Sequence, residues 1–139
     1  VHSNIYTPDL VIVVDETLLY SVEVTAGLKE DGAVIVNTAQ SAEEVRLLLH
    51  GYKGAVYTVD ARQISTEALG KNFPNSPMLA AAVAVSGVMT KETFMKEMRA
   101  SYNHKFAKKP EVIEGNMKAL QMTFDALQDA LEEEVVKIA

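Results

Sequence analysis

The run Leu10-Val11-Ile12-Val13-Val14-Asp15 is apolar without alternation until it stops on an acid. A half-buried strand alternates, and an amphipathic helix repeats at three and four. Five apolar residues in a row, four of them β-branched, suit a strand covered on both faces, as in parallel sheets flanked by helices. The pattern returns twice. Val34-Ile35-Val36 runs into Asn37-Thr38, and Val56-Tyr57-Thr58-Val59 runs into Asp60. Each run is followed by helix-like sequence, so the spacing implies right-handed crossovers and parallel strands. The fold class expected is α/β: three layers, a mostly parallel sheet with flanking helices, and a long C-terminal helix. In such sheets ligands sit beyond the carboxyl ends of the strands. Asp15, Asn37 and Asp60 are therefore expected along one edge, with any site beside them.

The connecting sequence supplies the helices. Thr17–Leu28 reads as a helix, or a loop and a helix, weakened by its Thr and Val. Gly32 is expected to turn the chain with positive φ. Ser41-Ala42-Glu43-Glu44 is a capping box opening a helix to about His50, with Val45, Leu48 and Leu49 inward. Asp60 is expected to cap a short helix with Ile64, Ala68 and Leu69 inward, ended by Gly70. After a loop over 71–77, Asn75 and Ser76 read as polar caps and Pro77 suits a first turn. Met78–Val88 is apolar almost all round, the mark of a helix buried on every side or pressed on a partner. Thr90 is expected to cap a helix with Phe94, Met95, Met98 and Tyr102 on one face, and 103–109 reads as a basic loop. Pro110 opens the last helix, whose Ile113, Met117, Leu120, Phe124, Leu127, Leu131 and Val135 keep helical spacing for more than twenty residues. Glu132, Glu133 and Glu134 oppose its dipole, so fraying is expected there. Val1–Thr7 reads as a lead-in and Pro8-Asp9 as a turn.

With 139 residues, one domain spanning 1–139 is expected. A net charge of -6 argues against a general nucleic-acid binder, which needs cations at phosphates. The absence of cysteine excludes disulfides, thiolate metal sites and iron–sulfur ligation by these residues. No apolar run reaches spanning length, so no membrane partner is expected, and the lack of cysteine is compatible with the cytoplasmic location expected here. No Gly-rich phosphate loop occurs. Three strands make a small sheet for so many helices, and the chain starts at Val1, so it reads as the C-terminal part of a larger doubly wound domain.

The acidic strand ends admit a sharper reading. Asp15, Glu16 and Asp60 resemble the carboxylate cluster of a receiver domain, with Asp60 as phosphoacceptor and the others on magnesium. No further strands ending in Ser or Thr, or in Lys-Pro, accompany them. A turn at Asp15 and a cap at Asp60 account for both acids more simply. Asn37 and Thr38 offer an amide and a hydroxyl to a phosphate, ribose or pantetheine amide, or to local turns. Asn75 stands where a helix N-terminus meets an anion or merely caps. His104, Lys105, Lys108 and Lys109 suit a solvated loop or an acidic partner. His2 and His50 share no ligand spacing, and the six Met read as core. No catalytic residue and no metal ligand is assigned.

Five stretches, in order and with matching gaps, carry a resemblance: PDLVIVVDETLL, GLKEDGAVIVNT, VDARQIS, PNSPMLAAAVAVSG and KFAKKPEVIEGNMKAL. They resemble the gamma subunits of pyruvate:ferredoxin oxidoreductases (pyruvate synthases), within the 2-oxoacid:ferredoxin oxidoreductases. The resemblance implies an anaerobic, hetero-oligomeric enzyme with alpha, beta and delta type subunits. Such enzymes convert a 2-oxo acid to acyl-coenzyme A and deliver electrons to ferredoxin. Thiamine diphosphate, magnesium and iron–sulfur clusters are implied on the other subunits, so this chain alone is expected to bind no cofactor and do no chemistry. A contact to coenzyme A is implied for the gamma domain, with Asn37, Thr38 and Asn75 as the candidates. Two departures stand out: the family's GRGGQG turn is missing, and Ser76 and Ala80 stand where Thr and Gly are frequent. The alternative is a stand-alone receiver-like or small-ligand-binding α/β module.

Overall fold

Val34, Ile35 and Val36 are fully buried although consecutive side chains point to opposite faces. They lie on the inner strand β3 (Ala33–Asn37) of a sheet ordered β1-β2-β3-β4. The computed structural model describes His2–Ser3, residues 10–21 and 23–138, with side chains for 10–21 and 23–132. β2 (Leu10–Val13) and β4 (Ala55–Val59) flank β3 in parallel, with Ile12 opposite Ile35 and Ile35 opposite Tyr57. β1 (His2–Ser3) adds an antiparallel edge to β2, in residues read as a lead-in. The expected turn at Pro8-Asp9 lies outside the described residues. The first apolar run is one residue too long for its strand. Val14 is 46% exposed, and its carbonyl accepts from the Asn37 side chain.

Helices cover both faces. Val11, Val13, Val34, Val36 and Val56 pack against Leu19, Val45 and Leu49 on one side. Ile35, Tyr57 and Val59 pack against Ile64, Met78, Ala81, Ala119 and Leu127 on the other. Full burial of each such aliphatic chain stabilises by about 1.5–3 kcal/mol. The first connection is the one that departs most from expectation. Only α1 (Leu18–Ser21) forms in place of a helix over Thr17–Leu28. Turns follow, closed by Ala26 N–H to Glu23 O and Leu28 N–H to Thr25 O. Val22 lies outside the described residues. Positive φ falls at Gly27 (77°) and not at Gly32.

The other helices form where their caps place them. α2 (Ala42–Leu48) opens on the full capping box, both Ser41–Glu44 bonds at 3.1 Å. α3 (Ala61–Leu69) opens on Asp60, which accepts from Gln63 N–H at 3.1 Å, and closes on left-handed Gly70. α4 (Asn75–Ser86) has Pro74 as its N-cap residue, with no side-chain cap. Asn75 and Ser76 are thus inside the first turn, not caps before it. α5 (Lys91–Lys105), capped by Thr90, takes in His104 and Lys105, so the basic loop is shorter than expected. Cations suit a helix C-terminus, where they face the exposed carbonyls. α6 (Pro110–Ile138) is the long last helix, and it joins α4 and α5 in a further core of Ala80, Val83, Phe94, Tyr102, Ile113, Met117 and Leu120. Side chains from 133 onward, Val135, Glu133 and Glu134 included, lie outside the described residues.

Within that core three polar groups satisfy one another. Ser76 Oγ donates to Asn116 Oδ1 at 2.7 Å, and Asn116 Nδ2 donates to Val112 O at 2.9 Å. A hydroxyl has one proton. Tyr102 O–H therefore donates to Ser76 Oγ, 2.7 Å away. Burial pushes the Tyr102 phenol above its ordinary value.

Candidate functional site: a cleft at the strand ends

The carboxyl ends of β2, β3 and β4 open into one cleft of about 930 Å³. Asp15, Asn37, Thr38 and Asp60 all line it, as the strand endings required. Each has a local task as well. Asn37 Nδ2 donates to Val14 O at 3.1 Å, and its Oδ1 accepts from Ala61 N–H at 3.0 Å. One amide thus ties the end of β2 to the start of α3 across the mouth of β3. Thr38 is 3% exposed; its Oγ1 accepts from Gln40 N–H at 3.1 Å while its own N–H reaches Val59 O at 3.0 Å. These bonds fix the cleft floor.

The acids behave as turn and cap residues. Asp15 Oδ1 accepts from Thr17 Oγ1 at 2.7 Å and from Thr17 N–H at 3.0 Å. The hydroxyl, then the amide, holds the Asp15 carboxyl below its ordinary range. Asp60 caps α3. Among the described residues no group of three or more His, Cys, Asp or Glu is placed to hold a metal ion. The geometry gives the receiver-like alternative no support.

Sequence reasoning missed part of the lining. Glu44, Arg62, Gln40, Asn72 and Pro74 complete the wall, whereas Asn75 stands beside it, exposed in the first turn of α4. Their signal was position: Gln40 and Arg62 follow closely on strand ends, Asn72 and Pro74 precede α4, and Glu44 belongs to the capping box in the first turn of α2. Four carboxylates (Asp15, Glu16, Glu44, Asp60) face one guanidinium, Arg62. Such a lining suits neutral hydrogen-bonding groups and repels a multiply charged anion.

One wall is shared. Residues 71–74 alternate: Asn72 and Pro74 line the cleft, while Lys71 and Phe73 line a second pocket between α3, α5 and α6. Phe73 N–H donates to the buried Ser65 Oγ at 3.0 Å, which anchors the segment to α3.

A mostly parallel sheet covered on both faces, with its cleft beyond the strand ends, defines an α/β protein of the doubly wound kind. The family model for pyruvate ferredoxin/flavodoxin oxidoreductase matches residues 1–126, and the chain belongs to that family. Pyruvate synthase subunit PorC of Thermotoga maritima is 38% identical over 128 residues, 92% of this chain and 65% of that protein. The pyruvate/ketoisovalerate oxidoreductases common subunit gamma of Pyrococcus abyssi is 37% identical over 128 residues, 92% of this chain and 66% of that protein. The crystal structure of pyruvate oxidoreductase subunit PORC from Thermotoga maritima superposes with a TM-score of 0.71 at 36% identity, covering 84% of this chain and 62% of that one. The chain spans just under two thirds of the length of these relatives.

Proposed function

We propose that this chain serves as a gamma subunit of a pyruvate:ferredoxin oxidoreductase, supporting oxidative decarboxylation of a 2-oxo acid to acyl-coenzyme A. The observation that carries the reading is the 38% identity to a pyruvate synthase subunit over 92% of the chain. In this reading residues 1–139 act as one gamma-type unit beside alpha, beta and delta type subunits. Thiamine diphosphate, magnesium and iron–sulfur clusters belong to those partners, and ferredoxin takes the electrons. The lack of cysteine in these 139 residues supports placing cluster ligands elsewhere. Among the described residues no helix is long and apolar enough to cross a membrane, which is compatible with a cytoplasmic enzyme.

The chain's own contribution is to position coenzyme A. Asn37, Thr38 and Asn75 are the residues proposed for that contact. The excess of carboxylates in the cleft favours the neutral amides of the pantetheine arm there and disfavours the nucleotide phosphates. Asn37 has one amide proton beyond its bond to Val14 O, and Thr38 has its hydroxyl proton. The test is reconstitution with the partner subunits, read as pyruvate- and coenzyme A-dependent reduction of a viologen dye. Activity is expected to depend on this chain. In Asn37→Ala the KM for coenzyme A is expected to rise while that for pyruvate stays put. Full activity with the chain omitted would refute the reading.

A further inference from the structure

We propose that the pocket where α3 ends, α5 ends and α6 begins binds a small amphipathic anion: an apolar body carrying one carboxylate or phosphate. This is independent of the strand-end cleft and of the subunit reading. The pocket holds about 590 Å³, within the range of small-molecule sites. Ala68, Leu69, Phe73, Phe106 and Val112 form its apolar lining, and all five are only half-buried, so a ligand body can reach them. Two cations stand at its rim. Lys71 Nζ lies 5.8 Å from the centroid of the Phe73 ring, and Lys105 Nζ lies 5.4 Å from that of Phe106. Each ammonium is therefore held over the apolar lining by attraction to a ring face.

The surrounding charge points the same way. The chain as a whole carries -6, yet here two lysines face one acid, Glu111, and Lys108 and Lys109 follow in the adjoining turn. An anion is drawn to this mouth and repelled by the acidic cleft. Asn116 adds a polar point to the wall. It is 2% exposed, and one of its two amide protons goes to Val112 O, which leaves the other for a ligand oxygen. Three helix ends and one loop enclose a cavity and not a long groove, so the fit is to a compact molecule rather than an extended peptide.

The test uses the 139-residue chain with anilinonaphthalene sulfonate as a fluorescent probe. Octanoate, octyl phosphate and 1-octanol serve as competitors. Octanoate or octyl phosphate is expected to displace the probe at lower concentration than 1-octanol, and the stronger of the two identifies the head group. In Lys71→Ala/Lys105→Ala, both at exposed positions, binding of the anions is expected to weaken by roughly tenfold, the combined effect of two solvent-exposed charge contacts. Binding of 1-octanol is expected to stay unchanged, and the far-ultraviolet circular dichroism to match the parent. Equal competition by 1-octanol and octanoate would overturn the proposal. So would undiminished anion binding in the double variant, or no displacement by any competitor.

Discussion

At Gly115, α6 passes so near α3 that an added Cβ would lie 2.6 Å from Leu69 Cδ2 and 2.8 Å from the Ala68 carbonyl oxygen. Leu69 can move aside; the carbonyl belongs to the helix backbone and cannot without displacing the turn. Alanine would gain about 1 kcal/mol of helix propensity over glycine. Overpacking of a tight contact costs about 1–3 kcal/mol. Gly115→Ala is therefore expected to lose about 1 kcal/mol net, seen as a lower urea midpoint at unchanged m-value. A more stable variant would show that the two helices separate freely. Asn37 makes the complementary point about what residues disclose. Its place at a strand end was legible, because the apolar run stops there. Its partners were not: Val14 and Ala61 are 23 and 24 positions away, and only the assembled sheet brings them to one amide.

Helices differ in how plainly the chain announces them. α6 was legible throughout its described face, since a spacing of three and four over many turns fits a helix and little else. α2, α3 and α5 were legible at their starts, because Ser41, Asp60 and Thr90 are chemically suited to the free N–H groups there. The end of α5 was not, because lysine and histidine serve a last turn and a loop equally well. α1 was overestimated at its far end: it stops at Ser21, and the residues expected to extend it close into turns, Ala26 N–H to Glu23 O and Leu28 N–H to Thr25 O. The hydrogen bonds joining α4, α5 and α6 through Ser76, Tyr102 and Asn116 left no pattern in the sequence at all. They make a prediction for alkaline conditions. Burial raises the Tyr102 phenol, so the folded state favours the protonated form. That stabilisation is complete below the unfolded value of about 10 and is lost as pH rises through the higher folded value. Tyr102→Phe is expected to cost about 1 kcal/mol at neutral pH, from the lost hydrogen bond. It should also soften the fall in urea midpoint above about pH 10. Tyr52 is raised too, by burial first, and so part of the fall should remain. An alkaline profile identical to the parent's would contradict the assignment.

Over the whole molecule, β3 places Ile35 in one apolar cluster and Val34 and Val36 in another. α6 in turn joins the Ile35 cluster, through Ala119 and Leu127, to a third that holds Ile113, Met117 and Leu120. No cluster can dissolve without exposing a face of its neighbour. Unfolding followed by far-ultraviolet circular dichroism and by tyrosine fluorescence is therefore expected to give coincident transitions. Two separated transitions would show that α4, α5 and α6 fold apart from the sheet. The alternation of residues 71–74 has a mechanical consequence. The backbone that carries Phe73 into one cavity carries Asn72 and Pro74 into the other, and Ser65 pins it between them. The two hollows thus share a single partition, four residues long, and neither wall can be redrawn by substitution without touching the backbone of the other.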